Sequence, residues 1–387
     1  MRLAAGAGGP AALAVAAALA GLAACCASPE FTVRSGEALH PGEAPPLGAP
    51  DVRALHLADF GKTGCQQDAT AEGVAAAHAR APFDVALVPG DLVYDCGPDA
   101  TLPGAAACAF APDDATVAPG YAPPDDPAFA RLEAPLAPLA RAPSPATFLL
   151  GLGNHDVATS GGCGRTADRR AEARTKACLA VARRTAVWNL PGRHHAAGHG
   201  SARFLFVDTN LLETDYGGFR FEDEVAFVAA EAPGCRADAC EAEPGGCAKP
   251  WCFLLGHHPA ATAGSHAGEA AGARYQERVA ALLAAGQGRI RAWLGGHDHD
   301  LQHLRAPSGL DVFVSGAGAR GRTLERFGDP APAGTRRLFG TVHWGYGVLE
   351  ASPAGWRYRF ESERGEPLYC CAAAGPGRCE PSTCAAP

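Results

Sequence analysis

Five short, largely apolar runs, each followed closely by polar residues, constrain the fold of this 387-residue chain more than any other feature. Runs of this length bounded by turn residues are typical of buried β-strands. The runs and their polar followers are Arg53–Ala58 with Asp59, Val85–Val88 with Asp91 and Tyr94, Thr147–Leu152 with Asn154, Trp251–Leu255 with His257, and Ile290–Leu294 with His297 and His299.

Helical patterns alternate with these runs, and further β-type segments follow the last of them. The helices are predicted at Thr70–Arg80, Ala128–Arg141, Thr166–Arg184, Glu222–Glu231 and Gly268–Ala285, and the further strands at Arg203–Val207, Asp311–Ser315, Thr341–Glu350 and Trp356–Glu361. Strands that alternate with helices indicate an α/β fold. Ligands of such folds bind beyond the carboxyl ends of the strands, so we expect the polar followers to share one edge.

Each polar follower has an ordinary structural explanation when it is taken alone. Asp59 could cap a helix, Asn154 could hold a turn, and His257 could be a hydrogen-bonded core histidine. The same placement nevertheless recurs five times, and buried carboxylates and imidazoles need partners. The recurrence therefore favours a shared metal site over five separate structural roles.

Composition narrows the class of protein. Hydrophobic residues make up 47% of the chain and charged residues 19%, which fits a globular protein with a large core. The net charge of −8 and a pI near 6.0 argue against nucleic acid as a partner. We expect a monomer that acts on a small molecule.

The amino terminus carries a targeting signal. Arg2 precedes an apolar run, Ala11–Ala24, which is shorter than the roughly 20 residues of a membrane-spanning helix. Residues 1–25 are therefore predicted to be a signal peptide of an exported bacterial protein. Leu22-Ala23-Ala24-Cys25 resembles a lipobox, in which Cys25 is lipidated, and ordinary cleavage followed by free secretion is the alternative. Residues 26–50 read as a linker.

Fifteen cysteines agree with export. Removing Cys25 leaves an even number, which suits disulfides formed in an oxidising periplasmic or extracellular compartment. The four cysteines between Cys235 and Cys252 could also hold zinc, but their spacing is wider than that of usual zinc motifs, so disulfides are favoured. The pairing cannot be deduced from spacing.

The motifs at the strand ends resemble those of the calcineurin-like metallophosphoesterases, over residues 51–369, with a cysteine-rich tail at 370–387. That family has a four-layer α/β/β/α sandwich with its metal site at the strand carboxyl ends. Its generic first motif is Asp-x-His, whereas this chain has Asp59-Phe60-Gly61 and supplies Tyr94 in the second motif. This paired change marks the purple acid phosphatases, and the small tartrate-resistant type is the most similar.

The resemblance implies a binuclear metal centre of Fe(III) and a divalent Fe, Zn or Mn. It places Asp59, Asp91, Tyr94 and His299 on the ferric ion, and Asp91, Asn154, His257 and His297 on the second metal. Carboxylates and a phenolate are hard donors that suit Fe(III), while an amide and two imidazoles suit a divalent ion.

Two more histidines match family positions that act on the substrate. His155 corresponds to a histidine that, beside Asn154, contacts the phosphate, and His266 to one that binds substrate and protonates the leaving group. The implied activity is acid phosphatase hydrolysis of phosphate monoesters by attack of a metal-bound hydroxide. Two alternatives stay open: a phosphodiesterase or nucleotidase on the same scaffold, and a surface binding protein without catalysis.

Overall fold

The computed structural model describes Ser28 and residues 41–237, 250–323 and 327–384. The predicted signal peptide, Cys25 of the lipobox and most of the predicted linker lie outside the described residues. Within the described part, the search for a helix of sufficient length and hydropathy to cross a membrane finds none.

The strands are β1 (Val52–His56), β2 (Val85–Pro89), β3 (Thr147–Gly151), β4 (His195–His199), β5 (Ala202–Phe206), β6 (Trp251–Leu255), β7 (Ile290–Gly295), β8 (Leu301–Arg305), β9 (Asp311–Ser315), β10 (Arg336–Thr341), β11 (Gly345–Ser352), β12 (Gly355–Ser362), β13 (Pro367–Ala374) and β14 (Glu380–Pro381). The α-helices are α1 (Cys65–Arg80), α2 (Ala130–Arg141), α3 (Arg169–Ala182), α4 (Asn210–Glu213), α5 (Phe221–Glu231), α6 (Ala267–Ala270) and α7 (Ala273–Ala285).

The strands form two mixed sheets of seven. Their orders are β14-β13-β12-β11-β1-β2-β3 and β10-β8-β9-β7-β6-β5-β4. The strands β1, β2 and β3 are parallel in the first sheet, and β5, β6, β7 and β9 are parallel in the second. Parallel strands align their carboxyl ends, so the loops that follow β1, β2, β3, β6 and β7 can all contribute to one site.

Alternating side chains divide the apolar residues between two layers, as the period of a β-strand requires. One set packs between the sheets, where the rings of Phe253 and Trp356 lie 5.4 Å apart and those of Phe313 and Tyr358 lie 3.9 Å apart. The other set packs under helices, for example Leu136 of α2 and Val279 of α7. The predicted four-layer α/β/β/α sandwich is confirmed.

Five disulfides join described residues: Cys96–Cys163, Cys108–Cys178, Cys235–Cys252, Cys370–Cys384 and Cys371–Cys379. The first two fasten the long loop after Tyr94 to the segment around α3. The bond between Cys235 and Cys252 excludes these two as zinc ligands and confirms disulfide chemistry there. Disulfides on this scale are typical of proteins that fold in an oxidising compartment.

Several element bounds differ from the sequence predictions. Helix α1 begins at Cys65 and not at Thr70. Cys370 and Cys371, in the predicted cysteine-rich tail, belong to β13 and pair with β12. The helix predicted at Gly268–Ala285 is interrupted before Ala273, since Gly272 has an extended conformation. The strand predicted at Thr341–Glu350 is divided between β10 and β11.

Candidate metal centre

Seven side chains from five loops converge at the carboxyl ends of the parallel strands. They are Asp59 after β1, Asp91 and Tyr94 after β2, Asn154 after β3, His257 after β6, and His297 and His299 after β7. We call these seven residues the metal cluster. Three of them, Asp59, Asp91 and His297, have positive φ angles of 58°, 54° and 71°. Such angles are uncommon for residues other than glycine and concentrate at functional sites.

One part of the metal cluster surrounds the phenol of Tyr94. Its hydroxyl lies 2.9 Å from Asp59 Oδ1 and 3.2 Å from His299 Nε2. His299 Nε2 in turn lies 3.4 Å from Asp59 Oδ1. These three polar groups therefore face one point; that they bind a ferric ion stays a prediction.

The other part surrounds the imidazole of His257. Its Nε2 atom lies 2.8 Å from Asn154 Oδ1, 3.2 Å from His297 Nδ1 and 3.4 Å from Asp91 Oδ1. The ligand atoms of Asp59, Asp91 and His257 all lie within 4.8 Å of one another. Asp91 thus stands between the two groups, where a bridging carboxylate is expected.

The buried carboxylates of the metal cluster have no lysine or arginine within ion-pair distance among the described residues. Asp59 and Asp91 are 0% and 1% exposed, and among the described residues only histidines lie within ion-pair distance of them. Burial raises the pKa of Asp59 to about 7, and it also raises that of Tyr94 well above its ordinary value. Burial lowers the pKa of His299 to about 3. Burial thus disfavours the ionised forms of Asp59 and Tyr94, and a bound cation would favour them. Carboxyl and phenol oxygens next to neutral imidazoles form a donor set that fits metal cations.

The structure explains the paired change at Gly61 and Tyr94. A Cβ atom on Gly61 would lie 2.1 Å from the carbonyl oxygen of Leu92, so no side chain fits there without a backbone shift. The Gly61 amide donates to the Asp91 carbonyl, and the Tyr94 amide donates to the Gly61 carbonyl. This close backbone contact leaves no room for a side chain at residue 61 and fixes the loop that carries Tyr94.

His155 lies beside the metal cluster. Its ring packs 4.3 Å from that of Tyr94, and its Nδ1 donates to the Asp95 carbonyl. Its Nε2 lies 3.9 Å from Asp91 Oδ2. The backbone amide of His155 also donates to Asp91 Oδ1, at 3.0 Å. The half-buried imidazole is therefore directed toward the Asp91 carboxylate.

His266 contacts the metal cluster from the position directly before helix α6. Its ring lies 3.9 Å from that of His297, and its Nδ1 lies 2.9 Å from Glu269 Oε2. Burial opposes the charged imidazole, but the hydrogen bond to Glu269 and the charge of Asp298 raise the pKa of His266 overall. A raised pKa suits a proton donor.

Glu269 is a residue that the sequence reasoning missed. One carboxylate oxygen, Oε2, lies 2.9 Å from both His266 Nδ1 and His297 Nε2. It thereby connects the candidate proton donor with a candidate metal ligand. The spacing His266-x-x-Glu269 is the available sequence signal, since residues three apart on a helical turn are neighbours.

Two buried aspartates, also missed, hold the loops of the site in register. Asp156 accepts hydrogen bonds from the amides of Leu92, Val93 and Gly153. Asp298 accepts from Ser265 Oγ and from the amide of His266, so it fixes the loop that carries the candidate proton donor. The sequence offers no signal for the partners of these carboxylates.

Other histidines behave as packing residues. His195 lies on β4, is buried, and donates to the Leu150 carbonyl. His303 lies between Tyr369 and Asp311 in the core. His258 is buried against the ring of His297, at 4.4 Å, with Glu213 at 3.6 Å.

Comparison with known proteins supports the fold. No protein-family model matches the chain, and no curated protein matches its sequence. One similar solved structure is GAP50, the anchor in the inner membrane complex of Plasmodium, with 16% identity, a TM-score of 0.57, and coverage of 85% of this chain and 90% of that chain. Another is the purple acid phosphatase PPD1 from yellow lupin (Lupinus luteus) seeds, with 14% identity, a TM-score of 0.55, and coverage of 87% and 57%.

The chain thus spans a little over half the length of the lupin enzyme and most of the length of GAP50. At these identities the likeness is one of fold. The two seven-stranded sheets and their helical layers form the same α/β/β/α fold as these solved structures.

Proposed function

We propose that the chain is a binuclear metal-dependent phosphomonoesterase of the purple acid phosphatase type. One observation carries the proposal: seven donors converge in two groups that share Asp91, and Tyr94 is present where Gly61 excludes a histidine. Asp59, Asp91, Tyr94 and His299 would hold Fe(III), and Asp91, Asn154, His257 and His297 would hold divalent Fe, Zn or Mn. When bound, two such ions supply Lewis-acid stabilisation of phosphate oxygens and lower the pKa of water.

The chain's own residues supply positioning and proton transfer. In its protonated form, His155 donates from Nε2 to a phosphoryl oxygen, because its Nδ1 is engaged by the Asp95 carbonyl. The oxygen of water forms the new bond to phosphorus while the bond to the ester oxygen breaks. His266 then gives a proton from Nε2 to the departing alkoxide, because Glu269 holds its Nδ1. The products are an alcohol and inorganic phosphate.

The test is a visible spectrum with metal analysis of the purified protein. A tyrosinate-to-Fe(III) charge-transfer band is expected in the wild type and is lost in Tyr94→Phe. Tyr216→Phe is the matched control, because Tyr216 is also buried and also donates to a carboxylate, that of Asp208. A wild type that binds two metals and shows no band contradicts the purple assignment and leaves a generic metallophosphoesterase.

Turnover decides between the proposed activity and its enzymatic alternative. An aryl phosphate monoester and the corresponding diester should be compared on the metal-loaded protein. Preference for the monoester supports the proposal, and preference for the diester assigns the chain to phosphodiesterases.

A binding function without catalysis is the second candidate, since a protein named as an anchor shares the fold over 90% of its length. The complete donor set with His155 and His266 favours catalysis. Failure of the metal-loaded protein to hydrolyse any aryl phosphate would favour the binding function.

Export and lipidation of Cys25 form a separate proposal. The disulfides of the described residues fit an oxidising compartment. Labelling with a fatty acid in a bacterial host should mark the wild type and leave Cys25→Ala unlabelled. Soluble, unlabelled wild-type protein in the medium would assign it to free secretion.

A further inference from the structure

Two arginines of one loop have no carboxylate partner among the described residues, and one of them packs on Tyr94 of the metal cluster. Arg320 and Arg322 belong to the loop that leaves β9, and both are half-buried. Among the described residues, no acidic side chain lies within ion-pair distance of either guanidinium. By contrast, buried Arg305 is paired with Asp311 at 3.0 Å and buried Arg193 with Asp208 at 2.9 Å.

The loop is built directly on the metal cluster. A Cβ atom on Gly316 would lie 2.8 Å from Asp59 Oδ2, so the backbone after β9 touches a metal-cluster carboxylate. Gln66 then fastens the loop by donating to the Ala317 carbonyl at 2.7 Å. The position of the arginines is therefore set by the same contacts that shape the site.

Arg320 is held against the candidate iron ligand. Its guanidinium carbon lies 5.1 Å from the centroid of the Tyr94 ring, whose neighbour is His155. An arginine fixed on an aromatic ring loses less conformational freedom when it binds an anion. The guanidinium lies on the ring that also contacts the imidazole expected to hold the phosphate.

Arg322 has unused hydrogen-bonding capacity. Its Nε atom is buried and has no hydrogen-bond partner among the described residues. Arg322 lies two residues after Arg320 in the same loop. The contact of Arg320 with the Tyr94 ring therefore places a pair of cations at the edge of the metal cluster, in a chain whose net charge is −8.

We propose that Arg320 and Arg322 form a second anion subsite beside the metal cluster, which selects phosphate esters that carry a further anionic group, either a second phosphoryl group or a carboxylate. The inference rests on the proposed function, since the ester phosphate must occupy the metal cluster while the second anion binds the arginines. Planar guanidinium groups suit both anions because they donate two parallel hydrogen bonds.

The experiment measures binding of three non-hydrolysable probes to the metal-loaded protein by calorimetry. Propylphosphonate carries one anionic group, 2-carboxyethylphosphonate adds a carboxylate, and propane-1,3-diphosphonate adds a phosphonate. The wild type should bind the two longer anions about tenfold more tightly than propylphosphonate, the scale of one or two charge-assisted hydrogen bonds. A gain for the diphosphonate alone assigns the second group as phosphoryl, and a gain for both assigns a general anion subsite.

The variant pair Arg320→Gln with Arg322→Gln should bring the preference close to onefold. Arg378→Gln is the matched control, because exposed Arg378 lies against Gly309 beyond the turn between β8 and β9, away from the strand ends that carry the metal cluster. The wild-type preference should also fall as salt is raised, since salt screens exposed charges. This second measurement applies even if the double variant does not fold.

A wild-type preference near onefold, or one that the double variant and salt leave unchanged, would overturn the subsite. Because no probe is hydrolysed, these results are independent of turnover. Absence of phosphatase activity with an arginine-dependent preference would reject the proposed function and keep the subsite.

Discussion

Two buried polar clusters in this molecule differ in one respect. In the first, the arginine cluster, Arg193 lies 2.9 Å from Asp208 and 3.0 Å from Glu224, and Tyr216 also donates to Asp208. It therefore contains its own cation. The metal cluster likewise has two buried carboxylates and a tyrosine, but among the described residues only histidines, and no lysine or arginine, lie within ion-pair distance of those carboxylates.

The difference indicates which cluster is structural and which is functional. A buried charge without a counter-charge is unfavourable. In the arginine cluster, Arg193 is the counter-charge of Asp208 and Glu224, so this cluster needs no bound ion. Among the described residues, the carboxylates of the metal cluster have only histidines within ion-pair distance. This difference in ion pairing supports the proposal that the metal cluster binds cations.

Asp91→Asn should have the largest effect, because it removes the carboxylate that both groups of the metal cluster share. We expect phosphatase activity to fall by on the order of 10⁴-fold, the scale seen when one member of a catalytic unit is removed. Metal analysis should show loss of bound metal. Asp208→Asn in the arginine cluster should keep its metal, and equal metal loss in both variants would contradict the distinction.

Arg193→Met tests the arginine cluster. It leaves Asp208 and Glu224 buried without their cation, which should lower the free energy of unfolding by about 3–5 kcal/mol. The measurement is urea denaturation followed by circular dichroism. A loss below about 1 kcal/mol would show that the arginine cluster is not the self-contained structural unit described here.

Metal ions should stabilise the protein only by binding to the metal cluster. At a free metal concentration 100 times the Kd, we expect a gain of about 2.7 kcal/mol in the free energy of unfolding. Chelator should reverse the gain in the wild type and in Arg193→Met. The Asp91→Asn variant should show no response, and an undiminished response would place the metal elsewhere.

Glu269→Gln should weaken the second metal without removing the first. The Glu269 carboxylate accepts from His297 Nε2 and leaves Nδ1 to face His257. Loss of such a partner typically lowers metal affinity about 10–100-fold. Metal retention during dialysis is the measurement, and Glu213→Gln is the control, because Glu213 contacts His258 and has the same side-chain exposure of 39%.

A neutral buried histidine adds a pH dependence that must be separated from both clusters. Burial lowers the pKa of His195 to about 4, below the value of about 6.5 expected in the unfolded chain. As pH falls from about 6.5 to 4, the unfolded state takes up a proton that the folded state refuses, so stability falls by up to about 1.4 kcal/mol per pH unit. His195→Gln should flatten this part of the profile, and an unchanged slope would contradict the assignment.

The donors at the strand ends could be predicted because their signal is local. An apolar run of strand length followed by Asp59, Asp91 or His257 needs only the neighbouring residues to be recognised. The ends of β6 at Trp251 and Leu255 agree with the structure for the same reason. The combination of Gly61 and Tyr94 could be recognised from the sequence. The close contact between Gly61 and the Leu92 backbone could not be predicted from it.

Tertiary structure alone decided which distant residues meet. The interruption at Gly272 separates α6 from α7 and leaves Glu269 between His266 and His297, and the loop after β9 brings Arg320 onto Tyr94. His195 is buried because β4 pairs with β5, where its Nε2 donates to the Leu150 carbonyl. The sequence by itself determined the kinds of donor and their places at strand ends, since these follow from local pattern. The ion-pair partners of the buried carboxylates and the position of Arg320 on Tyr94 depend on contacts between residues far apart in the chain, which only the folded structure supplies.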